Sequence, residues 1–400
     1  MSADPSFESI INQIKVDVVS PTHDLENAKQ LEAVSRCFAS ELISVFPTKE
    51  MYEYATKASV GDAVWHDSST EALEAHIAQL TGKEAALLVA SGTMSNQLAV
   101  RTHLHQPPFS VICDGRSHIN KYEAGGAALH TGAHTVPLMP SNGHHHLTLK
   151  DIRPHVVLGE DIHSAPTRLI CLENTLDGLI FPQSDIVDIC KFAHENGILV
   201  HLDGARLWHV AATTYIPMSV LCAPLDSVSL CFSKGLGAPM GTCLAGSKAF
   251  IQKAKWFRKA WGGGMRQTGI IAAAIAYALT YNFSQLPRVH ALAKRLEQGL
   301  RDLGVRILSP AETCMLYYDP SPIGIGYQEI QDRAAALPQP IIAMGSRLVV
   351  HIQTTTEAID DLLAVLRTLK ENKLKDGFTP SPDLPVGPSG TDAERGYPTA

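Results

Sequence analysis

The chain has 400 residues, of which 45% are apolar and 18% charged, with a formal net charge of -7, enough for a large core and one further domain. Acidic residues outnumber basic ones, 40 to 33, and no long basic run occurs. That excludes an electrostatic nucleic-acid surface and a basic membrane-surface helix, leaving small-molecule chemistry as the expectation.

Residues 1–20 contain no basic segment followed by an apolar one, so no signal peptide is expected. Residues 1–60 read as a polar, helical arm, with Leu25 to Leu42 at helical spacing and Pro47-Thr48 opening a helix through Met51 and Tyr54. From Glu71 onward helix-like and strand-like segments alternate. Strands are predicted at Ala85 to Val89, Val111 to Cys113, Arg168 to Leu172, Leu199 to Leu202, Ser227 to Phe232 and Thr242 to Ala245. Several are continuous apolar runs, as in strands covered on both faces, so a large, mostly parallel α/β domain is expected over 61–284.

Within that domain, Ser91-Gly92-Thr93 follows the first strand and opens the helix holding Asn96 and Leu98. Such a turn offers free backbone N–H groups and a helix dipole to an anion. His118 lies between a strand end and Glu123-Ala124-Gly125-Gly126, and His163 lies just before the strand at Arg168. The run His144-His145-His146 has no second ligand cluster and reads as a solvated loop. Asp203 ends the strand Leu199 to Leu202 and is followed by Arg206. The next strand delivers Ser233-Lys234-Gly235-Leu236-Gly237, and Gly262-Gly263-Gly264-Met265-Arg266-Gln267 is a second glycine-rich stretch with a cation.

The block Ile270 to Leu279 is too short to span a bilayer. Shorter strands at Val305 to Leu308, Met315 to Tyr318 and Leu348 to Ile352, with a helix at Glu357 to Leu369, suggest a small α+β domain over 285–374. Residues 375–400, rich in Pro, Gly, Ser and Asp, are expected to be disordered. The eight cysteines are scattered without a CxxC, as buried hydrophobes in a reducing, cytoplasmic setting would be.

A strand-end Asp followed by a Lys in a glycine-rich turn is the pattern by which enzymes hold pyridoxal 5'-phosphate (PLP): the carboxylate keeps the pyridine nitrogen protonated and the lysine bonds the cofactor. Asp203 would otherwise be costly to bury unpaired, although a helix-capping aspartate is the plainer alternative. Arg206 can reach the phenolic oxygen of the same ring. Thr93 with Gly92, and Arg266, would hold phosphate. His118 could stack on the ring. A small amino acid is the implied substrate.

The segments SGTMSNQ (Ser91 to Gln97), EAGGAA (Glu123 to Ala128), LENTL (Leu172 to Leu176), HLDGARLW (His201 to Trp208), SKGLGAP (Ser233 to Pro239), GGGMRQ (Gly262 to Gln267) and RLVVH (Arg347 to His351) together resemble the PLP-dependent threonine aldolases of fold type I, in their fungal branch. The resemblance runs from about residue 47 to 370. It implies that Lys234 bonds the cofactor, Asp203 pairs with the ring nitrogen, Arg206 contacts the cofactor oxygen and His118 stacks on the ring. It also implies that Gly92 and Thr93 bind phosphate, that Arg266 reaches the phosphate of a neighbouring subunit, and that Arg347 grips the substrate carboxylate with His163 near the substrate hydroxyl. Dimers or dimers of dimers, with sites at the subunit interface, are implied as well.

Two segments depart from the family pattern. The stretch before Pro47-Thr48 reads Ser40-Glu41-Leu42-Ile43-Ser44-Val45-Phe46, with Glu41 where a serine would help bind the substrate carboxylate, and a second motif appears as Trp65-His66-Asp67-Ser68-Ser69. The cofactor side is kept while segments lining the substrate side are rewritten. Retro-aldol cleavage of a β-hydroxy amino acid is therefore one expectation. Racemisation of alanine is another, with Lys234 serving one face and His66, His118 or water the other, as in the fungal racemases that supply peptide synthesis in specialised metabolism. A catalytically silent PLP-binding protein is a third.

Overall fold

The computed structural model describes residues 22–40, 45–141, 145–159 and 161–381, together with Ile14. Its centre is a seven-stranded sheet in the order β1-β7-β6-β5-β4-β2-β3. The strands are β1 Ala85–Val89, β2 Ser110–Asp114, β3 His134–Leu138, β4 Thr167–Glu173, β5 Leu199–Asp203, β6 Ser227–Cys231 and β7 Thr242–Gly246. β3, β2, β4, β5 and β6 run parallel, whereas β7 pairs antiparallel with both β6 and β1. Six of the seven strands, all but β3, fall where the apolar runs predict them. β3 was not expected: it is an edge strand interrupted by Pro137, and only Leu138 in it is buried, so it lacks the apolar run that marks the others.

Helices cover both faces. Gly92–His103 packs behind β5, β6 and β7, and it buries polar Ser95, Asn96 and Gln97 as well as apolar Leu98, Ala99 and Val100. Buried Leu202, Val228, Leu230 and Ile170 belong to the main core. A second sheet, in the order β10-β9-β8, joins β8 Arg306–Ser309, β9 Met315–Asp319 and β10 Arg347–Val349. The helices Leu286–Asp302 and Thr356–Lys375 lie beside it.

The N-terminal expectation needs correction. The helix His23–Val34 stops well short of residue 42. The chain then becomes extended beside the small sheet: Phe38 N donates to Ile342 O at 2.8 Å, and Val349 N donates to Phe38 O at 2.9 Å. Phe38 is fully buried there, so long-range pairing overrides the local helical spacing. The helix predicted after Pro47 is present as Lys49–Ala55, with Thr48 Oγ1 accepting from Met51 N. At the other end the last helix runs to Lys375 and the chain stays packed to Ser381, whose N donates to Pro322 O at 3.1 Å. The rest of the tail expected to be disordered, from 382, lies outside the described residues, as do His144 and Glu41. Among the described residues no helix is long and apolar enough to cross a membrane.

Candidate active site

The carboxyl ends of β4, β5 and β6 deliver Glu173, Asp203 and the loop bearing Lys234 to one edge of the large sheet, where ligands of open α/β sheets collect. Two cavities meet there and share His118 and Lys234. The larger, about 490 Å³, is lined by Ser91, Gly92, Thr93 and Ser233. The smaller, about 50 Å³, is lined by Arg206, Glu173, Tyr317 and Arg347. The fold therefore gathers Lys234, His118, Gly92, Thr93, Arg206 and Arg347 from separate parts of the chain.

Local geometry explains these placements. Ser91 caps the helix Gly92–His103, its Oγ accepting from Met94 N at 3.2 Å, and Ser91, Gly92 and Thr93 lie at the wall of the larger cavity, at the helix end whose N–H groups lack intrahelical partners. A Cβ on Gly92 would stand 2.8 Å from Cys231 Sγ, and one on Gly235 would stand 2.1 Å from His209 Nε2. Only glycine lets these loops lie against their neighbours. Arg347 is buried on β10, pairs across the strands with Tyr317, and donates to Ala39 O at 3.0 Å. Tyr317 Oη in turn donates to Asp177 Oδ1 at 2.9 Å.

The electrostatics centre on two neighbouring carboxyls, Asp203 and Glu173, in register across β5 and β4. Burial pushes Asp203 up, but the Lys234 charge, His118 and hydrogen bonds from Asn96 and the Ala205 N–H outweigh it and bring the group below its ordinary value. Glu173 goes the other way: burial, and then the Asp203 charge, raise it well above the usual range, although it accepts from His118 N at 2.7 Å. Two close carboxyls cannot both ionise at low cost, and here Asp203 carries the charge.

His118 Nδ1 lies 2.9 Å from Glu123 Oε1. His118, Glu123 and Asp203 are the one group of potential metal ligands among the described residues, yet Asn96 Nδ2 donates to both carboxylates at 2.8 and 2.7 Å. Those contacts make the cluster a hydrogen-bond network, in which Asp203 keeps acceptor capacity to spare. Its members Asn96, Glu123 and Glu173 are polar residues that the sequence reading did not assign to the site. The available signal was Glu123, in the motif just after His118, together with the polar run Ser95-Asn96-Gln97 on the preceding helix Gly92–His103.

Other expected site residues lie elsewhere in the subunit. His163 is 85% exposed at its side chain and bonded to Asp161, and His66 is 71% exposed and bonded to Glu71; neither lines the two cavities. Arg266 is exposed and paired with Asp62. Asp67, in the rewritten second segment, caps the helix Ser68–Thr81 by accepting from Thr70 N at 2.8 Å. His146 is not solvated as expected: it packs on Phe181 and lies 2.8 Å from Asp185.

The model of the beta-eliminating lyase family matches residues 42–320. A Schizosaccharomyces pombe protein described as a probable low-specificity L-threonine aldolase is 44% identical over 84% of this chain and 88% of its own length. The chain is a member of the threonine aldolase family. This is a family of PLP-dependent lyases within the beta-eliminating lyases. The alanine racemase TOXG of Cochliobolus carbonum is 36% identical over 85% of this chain and 90% of its own. The fold matches that of Leishmania major threonine aldolase with a TM-score of 0.72 at 20% identity, over 84% of this chain and 99% of that one. This likeness establishes the PLP fold type I architecture expected from the sequence.

The donor set suits PLP. A protonated pyridine nitrogen needs an ionised carboxylate, and Asp203 is buried and held below its ordinary value beside Lys234. A phosphate needs a helix N-terminus with space before it, and Ser91, Gly92 and Thr93 open onto the larger cavity.

Proposed function

We propose that this protein is a low-specificity L-threonine aldolase, cleaving L-threonine or L-allo-threonine to glycine and acetaldehyde. The observation that carries the reading is the convergence of Lys234 and Arg347, from different sheets, on one small cavity that also holds His118 and Arg206. Lys234 supplies the amine that bonds the cofactor, Asp203 keeps the ring nitrogen protonated, Arg206 contacts the ring oxygen, and Gly92 and Thr93 receive the phosphate. When bound, PLP supplies an electron sink at the substrate Cα.

Arg347 fixes the amino-acid carboxylate and thereby selects the bond at Cα held ready to break. For cleavage, the β-hydroxyl gives up its proton, the Cα–Cβ bond breaks as the new carbonyl forms on Cβ, and Cα later gains a proton to leave glycine. His118 is the base in place at the wall of both cavities. His163, which the resemblance assigns to the hydroxyl, would have to approach from its exposed turn.

A second reading, interconversion of L- and D-alanine in specialised metabolism, draws on the likeness to TOXG and on the two rewritten segments. In it His66 or His118 would serve the face opposite Lys234. A silent PLP-binding protein is the remaining alternative. Proton NMR in heavy water of the PLP-loaded protein with L-alanine and with L-allo-threonine, followed by chiral analysis of the alanine, separates them. Glycine and acetaldehyde with optically pure alanine is the expected result. Exchange of the alanine Cα proton with D-alanine formation, and little cleavage, would replace the aldolase reading by the racemase one. No turnover in either tube would leave the silent binder.

We further propose a homodimer or homotetramer with sites at the subunit interface. Val60, Trp65, Ile270 and Tyr281 are exposed, and Ala63 N donates to Arg266 O at 2.7 Å, so apolar surface and the phosphate-seeking arginine share one region. A cytoplasmic location is in keeping with eight free, buried cysteines. We likewise propose a division into an arm over 1–60, a cofactor domain over 61–284 and a small domain over 285–374.

A further inference from the structure

Asn96 stands between the two carboxylates nearest the proposed ring site. Its Nδ2 donates to Glu123 Oε1 at 2.8 Å and to Asp203 Oδ2 at 2.7 Å. Carboxylate oxygens only accept, so both amide hydrogens are committed to them and Oδ1 must face the opposite way. There it lies 3.1 Å from His201 Nε2. An amide oxygen also only accepts, which fixes the imidazole proton on Nε2 and leaves Nδ1 to accept from Ser227 Oγ at 2.8 Å. The Ser227 oxygen accepts in turn from His103 Nε2 at 2.7 Å.

His103, Ser227, His201 and Asn96 thus form a buried file in which each hydrogen points towards the carboxylates. Burial lowers His103 to about 3 and His201 to about 4. Both imidazoles are therefore neutral, the state in which His201 can donate at one nitrogen and accept at the other. The file ends on both sides of the site, because Glu123 Oε1 also receives His118 Nδ1 at 2.9 Å.

We propose that Asn96, oriented by His201, Ser227 and His103, is a positioning residue whose single amide fixes both Asp203 at the ring nitrogen and, through Glu123, the His118 ring at the cofactor face. The inference rests on the PLP reading above. Asn96 does not touch the reacting atoms; it sets where two groups that would touch the cofactor stand, and how strongly Asp203 holds a proton on the ring.

The test is NMR of the holoenzyme loaded with PLP carrying ¹⁵N in its ring, with the PLP dissociation constant measured alongside. Wild type should show a protonated ring nitrogen; an unprotonated one would defeat the PLP–Asp203 reading itself. Asn96→Leu, similar in size and without donors, should move the signal towards the unprotonated position and weaken PLP binding about tenfold or more, as expected for losing hydrogen bonds to charged groups. An unmoved signal and unchanged affinity, with wild type protonated, would overturn the positioning role alone. Should Asn96→Leu not fold, His201→Gln, which keeps a donor for Asn96, is compared with His201→Phe, which does not. A signal shifted only in the Phe variant supports the proposal, and equal signals overturn it.

Discussion

At the scale of single residues, the site is a set of charges whose values depend on their neighbours. Asp203 is useful because it is ionised where an isolated carboxylate would resist ionisation, and Lys234 and Asn96 stand beside it for that purpose. Asp203→Asn keeps the shape and removes the charge, so turnover should fall by roughly two to three orders of magnitude, the range seen when one preorganised electrostatic partner is lost. Steady-state kinetics of the PLP-saturated variant checks this, and near-normal turnover would remove Asp203 from the ring nitrogen. Lys234 and Asp203 were legible in the sequence because each follows an apolar run that ends in a polar residue. Asn96 was not, because a polar residue inside a helix is uninformative until its partners, on β5 and after His118, are brought to it.

At the scale of elements, polar contacts between a helix and the sheet carry a pH signature. His103 on the helix Gly92–His103 and His201 on β5 are both buried and neutral, lowered from 6.5 to about 3 and about 4. Their free counterparts in the unfolded chain take up protons below about pH 6.5. The unfolded state therefore binds more protons as pH falls, and stability, complete above 6.5, is lost between 6.5 and about 4 for His201 and about 3 for His103. Each histidine contributes up to about 1.4 kcal/mol per pH unit in that window. Urea unfolding should show His103→Gln losing about 2 kcal/mol less than wild type between pH 7 and about pH 5. An identical loss in the two proteins would contradict the buried neutral state. The apolar strands were readable because burial on both faces leaves a continuous run; β3 and the extended segment at Phe38 were not, because an edge strand with Pro137 and a pairing to Ile342 leave no local pattern.

At the scale of the whole molecule, the proposed role of Arg266 is a phosphate contact in a neighbouring subunit. In one subunit it pairs with Asp62. If it completes a neighbour's site, Lys234→Ala and Arg266→Ala subunits, each with little activity alone, should complement when co-expressed. A hybrid dimer then holds one intact site, and random mixing should recover roughly a quarter of wild-type sites. Activity no higher than that of the separate variants would place Arg266 in its own subunit's structure only.

By itself the sequence determined the order of six strands along the chain, the lysine and aspartate at two strand ends, the Ser-Gly-Thr turn that opens a helix and the family, because these depend on short segments whose meaning is local. Tertiary structure decided the rest. It placed β7 antiparallel between β1 and β6, brought Arg347 to Lys234, left His163 and His66 exposed in the subunit, and joined Asn96 to two carboxylates from elsewhere in the chain. The physical reason is that hydrogen bonds and desolvation act through space: their partners are set by packing, which no short stretch of chain encodes.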